Sequence, residues 1–221
     1  MNKQKTLGII IFIIISCSVM AIIETIIEPS YVIKSAAKVL FFLIVPLIFL
    51  KLQNGKIFNN SFKLNAKNII KLSALGAIVY VVIMVAFFLT RGLFDYSALV
   101  ESLSADQQVS PSSFIWIAMY ISFCNSLLEE FMFRYVAFIK LSEFTTKTVA
   151  YIFSSVMFSV YHVAMIGGSF PLPLLLLSLV GLAVGGAIFN FVDDKNKNIY
   201  NSWIVHMFAD FAIMTIWFIH I

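Results

Sequence analysis

Long apolar runs separated by short polar clusters recur along the whole 221-residue chain. They occupy about 7–27, 35–50, 69–90, 113–140, 148–166, 172–191 and 200–220. A helix rising about 1.5 Å per residue needs roughly 20 residues to cross ~30 Å of hydrocarbon, and most of these runs approach that length. Within hydrocarbon each backbone N–H and C=O must be satisfied inside its own segment, so the runs predict helices. The expected fold is all-α: a polytopic transmembrane helix bundle of about seven spans, with residues 1–221 forming one integral membrane domain. The first run continues past a signal-peptide-like Val-Met-Ala to about Ile27, and it reads as a retained span. The second is short and contains Pro46, which predicts a kink or a start nearer Tyr31. The fourth opens at Pro111-Ser112-Ser113 and closes at Lys140, long enough to cross at a tilt or to bend near its middle. Between the third and fourth runs, 91–112 has room for a short interfacial helix.

Composition strengthens this picture. Apolar residues make up 61% of the chain and charged ones 12%, against about 25% charged in a typical soluble domain. Mean hydropathy is +0.98. The net charge of +4 does not point to nucleic acid, because the lysines fall between apolar runs and not along one helix face. Cys17 and Cys124 lie inside apolar runs, with no disulfide or zinc spacing.

The basic residues also predict an orientation. With the N-terminus in the cytoplasm of a cell-membrane protein, the inner segments hold Lys3, Lys5, Lys51, Lys56, Lys63, Lys67, Lys71, Lys140, Lys147, Lys195 and Lys197. The outer ones hold Lys34, Lys38 and Arg91. Seven spans then leave the C-terminus outside.

Against this background six residues stand out. Glu129, Glu130 and Arg134 lie within the fourth run, His162 in the fifth, and His206 and Asp210 in the seventh. A charge near the bilayer centre costs at least about 2.5–3.5 kcal/mol, so such residues face a protein interior or a watery cavity and mark function. Counted from the inner end of each span, Glu129 sits about 16 Å deep, His162 about 21 Å, and His206 and Asp210 about 9 and 15 Å. Three helices can therefore bring them to one site. Glu130 and Arg134, four apart, share a face and suit an ion pair. Glu129 points about 100° away from Glu130 and is left as the free, reactive carboxylate. Phe158 lies one turn before His162 and could wall its ring. Glu24 and Glu28 look interfacial, Gly181, Gly185 and Gly186 suggest close helix packing, and Asp193, Asp194, Lys195 and Lys197 suggest a solvated loop.

In order, the residues read Glu129-Glu130-Phe-Met-Phe-Arg134, Phe158-Ser-Val-Tyr-His162 and His206-Met-Phe-Ala-Asp210, that is EExxxR, FxxxH and HxxxD. This resembles the CPBP family, the CAAX proteases and bacteriocin-processing enzymes also called the Abi family, over roughly 110–215. The resemblance implies an intramembrane endopeptidase acting on a membrane-associated peptide or protein precursor, in a setting such as bacteriocin or pheromone processing or self-immunity. It implies that Glu129 activates water with help from His162, and that His206 and the residue at 210 stabilise the oxyanion. Family members often carry Asn where this chain has Asp210, and an ionised Asp cannot donate. Peptide hydrolysis does require an activated water, an acid for the leaving amine and donors for the oxyanion. Two His and one carboxylate also make a recognised zinc set, so a divalent metal is the alternative to a cofactor-free site, although no HExxH occurs. The expected partners are the lipid bilayer and a peptide or membrane-protein substrate. Two other readings compete: a non-catalytic immunity or regulatory protein acting by binding, and a proton-coupled transporter, against which the short chain and absent inverted repeat argue.

Overall fold

The computed structural model describes residues 2–53, 62, 66–106 and 110–220. Every helix or turn among them is consistent with an all-α polytopic transmembrane bundle; the described residues include no strand. The helices are α1 (Lys3–Ile27), α2 (Tyr31–Leu52), α3 (Ala66–Thr90), α4 (Tyr96–Asp106), α5 (114–142), α6 (Lys147–Ile166), α7 (Leu172–Asp194) and α8 (Ile199–His220). Six of them, all but α4 and α5, are long and apolar enough to cross a membrane. The anticipated short helix between the third and fourth runs is α4. Lys56 and Lys63, counted toward the orientation, lie outside the described residues.

Local chemistry explains the boundaries. Asn2 caps α1 by accepting from the Lys5 N–H, and Thr146 caps α6 by accepting from Val149. At the far end of α1, Glu28 turns left-handed (φ 46°) and Pro29 follows, which stops the helix. The second span does begin at Tyr31. Pro46 lacks the N–H that would bond the preceding turn, and a wide π-type turn over Leu40–Ile44 lies just ahead of it. The fourth run is a single unbroken helix, with π-type stretches at Tyr120–Asn125 and Glu130–Lys140. Such wide turns are uncommon and recur near functional sites.

Helix α5 is the axis of the bundle. Residues 128–141 are all buried, because α1, α2, α6, α7 and α8 pack around them. Helix α3 packs mainly on α8, where Gly76 lets the backbone approach: a Cβ there would meet Phe208 Cδ2 at 2.5 Å. Gly186 likewise brings α7 against Ser155 and Phe158 of α6, whereas Gly181 and Gly185 face open space and do not contribute to the expected packing stripe.

Polar cross-links lock α5 to its neighbours. Ser154 donates to the Phe133 carbonyl at 2.8 Å and to Asn190 Oδ1 at 3.1 Å. Asn190 in turn donates to the Tyr151 carbonyl and Ser155 Oγ. Trp203 Nε1 donates to the Phe123 carbonyl at 3.0 Å. Interhelical bonds of this kind are worth about 0.6–2 kcal/mol each in a bilayer, and they fix rotation as well as distance.

Three expectations need correction. Asp193 is not in a solvated loop: it is fully buried and accepts from the Ser202 N–H (2.9 Å) and hydroxyl (2.7 Å) at the start of α8. Glu24 is not interfacial but pairs with Lys34 at 3.1 Å, both side chains nearly enclosed. Lys34 and Lys38 are not outer-loop lysines; both sit on the inner face of α2 at 5% exposure. Four residues apart on a helix, they share one stripe and point into the bundle together.

Candidate active site

All six polar residues singled out from the sequence meet in one cluster between α2, α5, α6 and α8. Glu130 and Arg134 form the expected i,i+4 pair, with Nε 3.2 Å from Oε2 and neither side chain exposed. The guanidinium is held between the rings of Phe158 (4.1 Å) and Phe189 (4.8 Å), so cation–π contacts supplement the ion pair. The other oxygen of Glu130 takes His206: Oε1 lies 2.7 Å from Nδ1. Phe189 stacks on the His206 ring at 4.9 Å, and the edge-on Phe158 completes its wall.

These bonds assign the imidazole protons. A carboxylate paired to Arg134 accepts, so His206 Nδ1 carries the hydrogen. His162 Nδ1 lies 2.7 Å from the Phe158 carbonyl, which also only accepts. In each ring Nδ1 therefore carries a hydrogen, and Nε2 is the atom left to face the site. Both Nε2 atoms face Glu129: Oε2 is 3.9 Å from His162 Nε2 and 3.8 Å from His206 Nε2. These separations exceed a direct hydrogen bond and suit a water shared among the three atoms. Phe158 does wall His162, edge to face at 4.7 Å.

Glu129 is not the unpartnered carboxylate expected from helical phase. Its Oε1 accepts from Lys38 Nζ at 2.6 Å and from Asn125 Nδ2 at 3.0 Å. The phase argument holds on α5, where Arg134 takes Glu130 instead. The partner comes from α2, and no spacing within one helix reveals it. Lys38 also lies over the Tyr161 ring at 5.0 Å, and the Tyr161 hydroxyl is buried beside it.

Asp210 is the most loosely held member. Its Oδ1 is 3.6 Å from His206 Nε2, and its buried Oδ2 has no partner. Sequence reasoning missed Lys38, Asn125 and Tyr161. Asn125 carried a signal, one α-turn before Glu129 on the same helix. Lys38 carried a weaker one, a second lysine one turn after Lys34 in an apolar run.

Glu129 offers the pair of imidazoles one oxygen and the cation the other. Among the described residues no three His, Cys, Asp or Glu side chains form a metal-binding group. The Lys38 ammonium lies on the carboxylate that a metal would also need.

Residues 111–212 match the family model described as Type II CAAX prenyl endopeptidase Rce1-like. The chain matches no curated protein and no solved structure. The match takes in all six clustered residues and leaves out α1, α2 and α3, so Lys38 reaches the site from beyond it. A CAAX-protease domain of the Rce1-like family is thereby identified over residues 111–212 of this membrane-embedded helical chain.

Proposed function

We propose that the protein is an intramembrane endopeptidase that cleaves a membrane-associated peptide or protein precursor with water activated by Glu129. The observation that carries this reading is the convergence of two imidazole Nε2 atoms on Glu129 Oε2, at 3.8 and 3.9 Å. A water there donates one hydrogen to Oε2 and the other to an Nε2. As its oxygen bonds the scissile carbonyl carbon, Glu129 takes one proton and the carbonyl π pair moves onto oxygen. Collapse of the tetrahedral species expels the amine, which receives that proton directly or through His162. His206 is oriented by Glu130, which Arg134 fixes in turn, and Asp210 lies beyond its Nε2. The reading is metal-free, and activity that survives a strong chelator is its expected outcome.

Enclosure serves the chemistry. Water shared by three fixed groups is positioned, and donors in a dry cavity act more strongly than they do in bulk water. A membrane-embedded site also selects substrates already in or on the bilayer.

Orientation belongs to the same proposal. The N-terminus, the α2 end, the α5–α6 turn and the α7–α8 turn share one face, joined by the bonds Asn2 N to Phe144 O and Lys5 Nζ to Gln53 O and by the Lys147–Asp194 pair. That face gathers Lys3, Lys5, Lys51, Lys140, Lys147, Lys195 and Lys197. With Lys34 and Lys38 turned inward, Arg91 is the remaining basic residue counted to the opposite face. The positive-inside rule then puts the N-terminus in the cytoplasm and the C-terminus outside.

The test compares membranes and secreted peptides from cells making wild type or Glu129→Gln at matched levels, by mass spectrometry. Peptide termini present only with wild type are expected, with a loss of about 10²–10⁴-fold in the variant. Identical peptide profiles would overturn the reading and favour a protein that acts by binding.

A further inference from the structure

We infer that Asp193 is a positioning residue of the active site: by holding Ser202 from α7 it sets the rotation of α8, and so aims the His206 ring at Glu129. This rests on the peptidase reading above. Helix α7 carries none of the six clustered residues, yet it borders the cluster along two rungs. Phe189 stacks on the His206 ring at 4.9 Å and lies 4.8 Å from the Arg134 guanidinium. One turn further along α7, Asp193 takes Ser202, which lies one turn before His206 on α8. The two helices run antiparallel through a short turn, so residues four apart on each keep the same two faces opposed. Asp193 and Ser202 therefore fix the register in which Phe189 meets His206.

Capping α8 does not call for this carboxylate, because Asn198 Oδ1 already accepts from the Tyr200 N–H at 3.1 Å. What Asp193 adds is a grip on one residue at two points. Its Oδ1 accepts from the Ser202 N–H and its Oδ2 from the hydroxyl, so backbone and side chain are held together. The next residue, Trp203, ties α8 to the Phe123 carbonyl of α5. One tether would let α8 pivot about it; two tethers on successive residues, to different helices, fix its rotation. His206 Nε2 owes to that rotation its separations of 3.8 Å from Glu129 Oε2 and 3.6 Å from Asp210 Oδ1. A turn of about 10° would swing a ring ~6 Å from the helix axis by about 1 Å. The Arg134 charge attracts Asp193 as well as Glu130, so one cation steadies both carboxylates that hold His206 in place.

The experiment uses full-length protein in phosphatidylcholine vesicles and an acyl-anchored, internally quenched peptide spanning a cleavage point found in wild-type cells. Asp193→Ala is expected to lower kcat about 10–10²-fold with KM nearly unchanged, since a misplaced imidazole harms the chemistry and not binding. Asp193→Asn keeps an acceptor for the Ser202 N–H and turns its amide N–H toward the hydroxyl oxygen, so most of the rate is expected to return. The chain has three histidines, and imidazole nitrogen NMR of the labelled protein follows each ring. Asp193→Ala should shift the His206 resonances and leave those of His220 in place; general destabilisation would not single out one ring. Asp194→Asn, one residue on and paired with Lys147 and Lys197, should change neither readout. Wild-type kcat in Asp193→Ala, unmoved His206 resonances, or an Asp193→Asn variant as slow as Asp193→Ala overturns the inference. If Asp193→Ala does not fold, Ser202→Ala decides, because it removes the hydroxyl bond alone: unmoved His206 resonances there overturn it too. Undiminished cleavage by Glu129→Gln in the same vesicles instead brings down the peptidase reading, while the imidazole spectra still report what Asp193 does to His206.

Discussion

Helices α3 and α5 are of similar length, yet they solve opposite problems. Helix α3 is apolar nearly all round and lies at the edge of the bundle, with Ile78, Val81, Val82 and Leu89 more than half exposed. Helix α5 carries Glu129, Glu130, Arg134 and Lys140, and all four are buried. In water the charged helix would sit outside and the apolar one inside. In a bilayer the outside is hydrocarbon, so apolar residues gain nothing by retreating from it, and charges gain a great deal by finding one another. Hydropathy therefore identifies α3 as a span but says little about its place. The charges of α5 locate it at the centre.

The first way to break the contrast is to remove one charge from α5. Arg134→Met keeps the apolar bulk between Phe158 and Phe189 but strands Glu130 with His206 alone. Breaking a buried pair from one side costs about 3–5 kcal/mol, and thermal unfolding in detergent should show a loss of that size. Arg134→Met combined with Glu130→Gln removes both charges, and much of the stability should return. A double variant no more stable than the single one would show that the guanidinium matters through its aromatic contacts and not through the pair.

The same contrast explains what was legible in the sequence. Segment positions were readable, because hydrocarbon imposes span length and backbone closure on each segment separately. The Glu130–Arg134 pair and the Phe158–His162 contact were readable too, since both are local to one helix. The junction of α2 with α5 was not. Lys38 sits 91 residues before Glu129, and whether a lysine near a helix end faces water or the interior depends on neighbours that the sequence does not name. Asp193 failed for a similar reason: in a run of four charges near a turn, only the arrival of Ser202 distinguishes it from Asp194, which pairs with Lys147 and Lys197. The π-type stretches left no periodic signature strong enough to read. The six motif residues were recognisable together because each had to be explained away separately in a membrane.

A second test approaches from the other side, by placing a charge on α3. Ile78 lies near the middle of that helix, which itself carries no Asp or Glu, and is 59% exposed. Ile78→Lys should cost about 2.5–3.5 kcal/mol in insertion, measurable as the fraction of the segment that crosses in a glycosylation-tag assay. Arg134, at the centre of α5, is no less charged and is accommodated because its partners arrive with it. Full insertion of Ile78→Lys would mean that α3 has a polar neighbour in the membrane, such as a second chain.

The smallest predicted effect separates packing from mere presence of a small residue. Gly76 and Gly181 are both glycines within long apolar helices, and propensity alone favours alanine at either by up to about 1 kcal/mol in water. Their surroundings differ. A methyl at Gly76 would enter the Phe208 ring, whose Cδ2 and Cγ lie 2.5 and 2.7 Å from the ideal Cβ position, so α3 must shift away from α8. A methyl at Gly181 meets nothing within 4 Å. Gly76→Ala should therefore destabilise by about 1–3 kcal/mol through overpacking, as seen in thermal unfolding, whereas Gly181→Ala should stay within about 0.5 kcal/mol of wild type. If the two behave alike, the contact between α3 and α8 is loose enough to absorb a methyl group. Helix α3 would then be held at the edge by its neighbours' exclusion of lipid more than by its own fit.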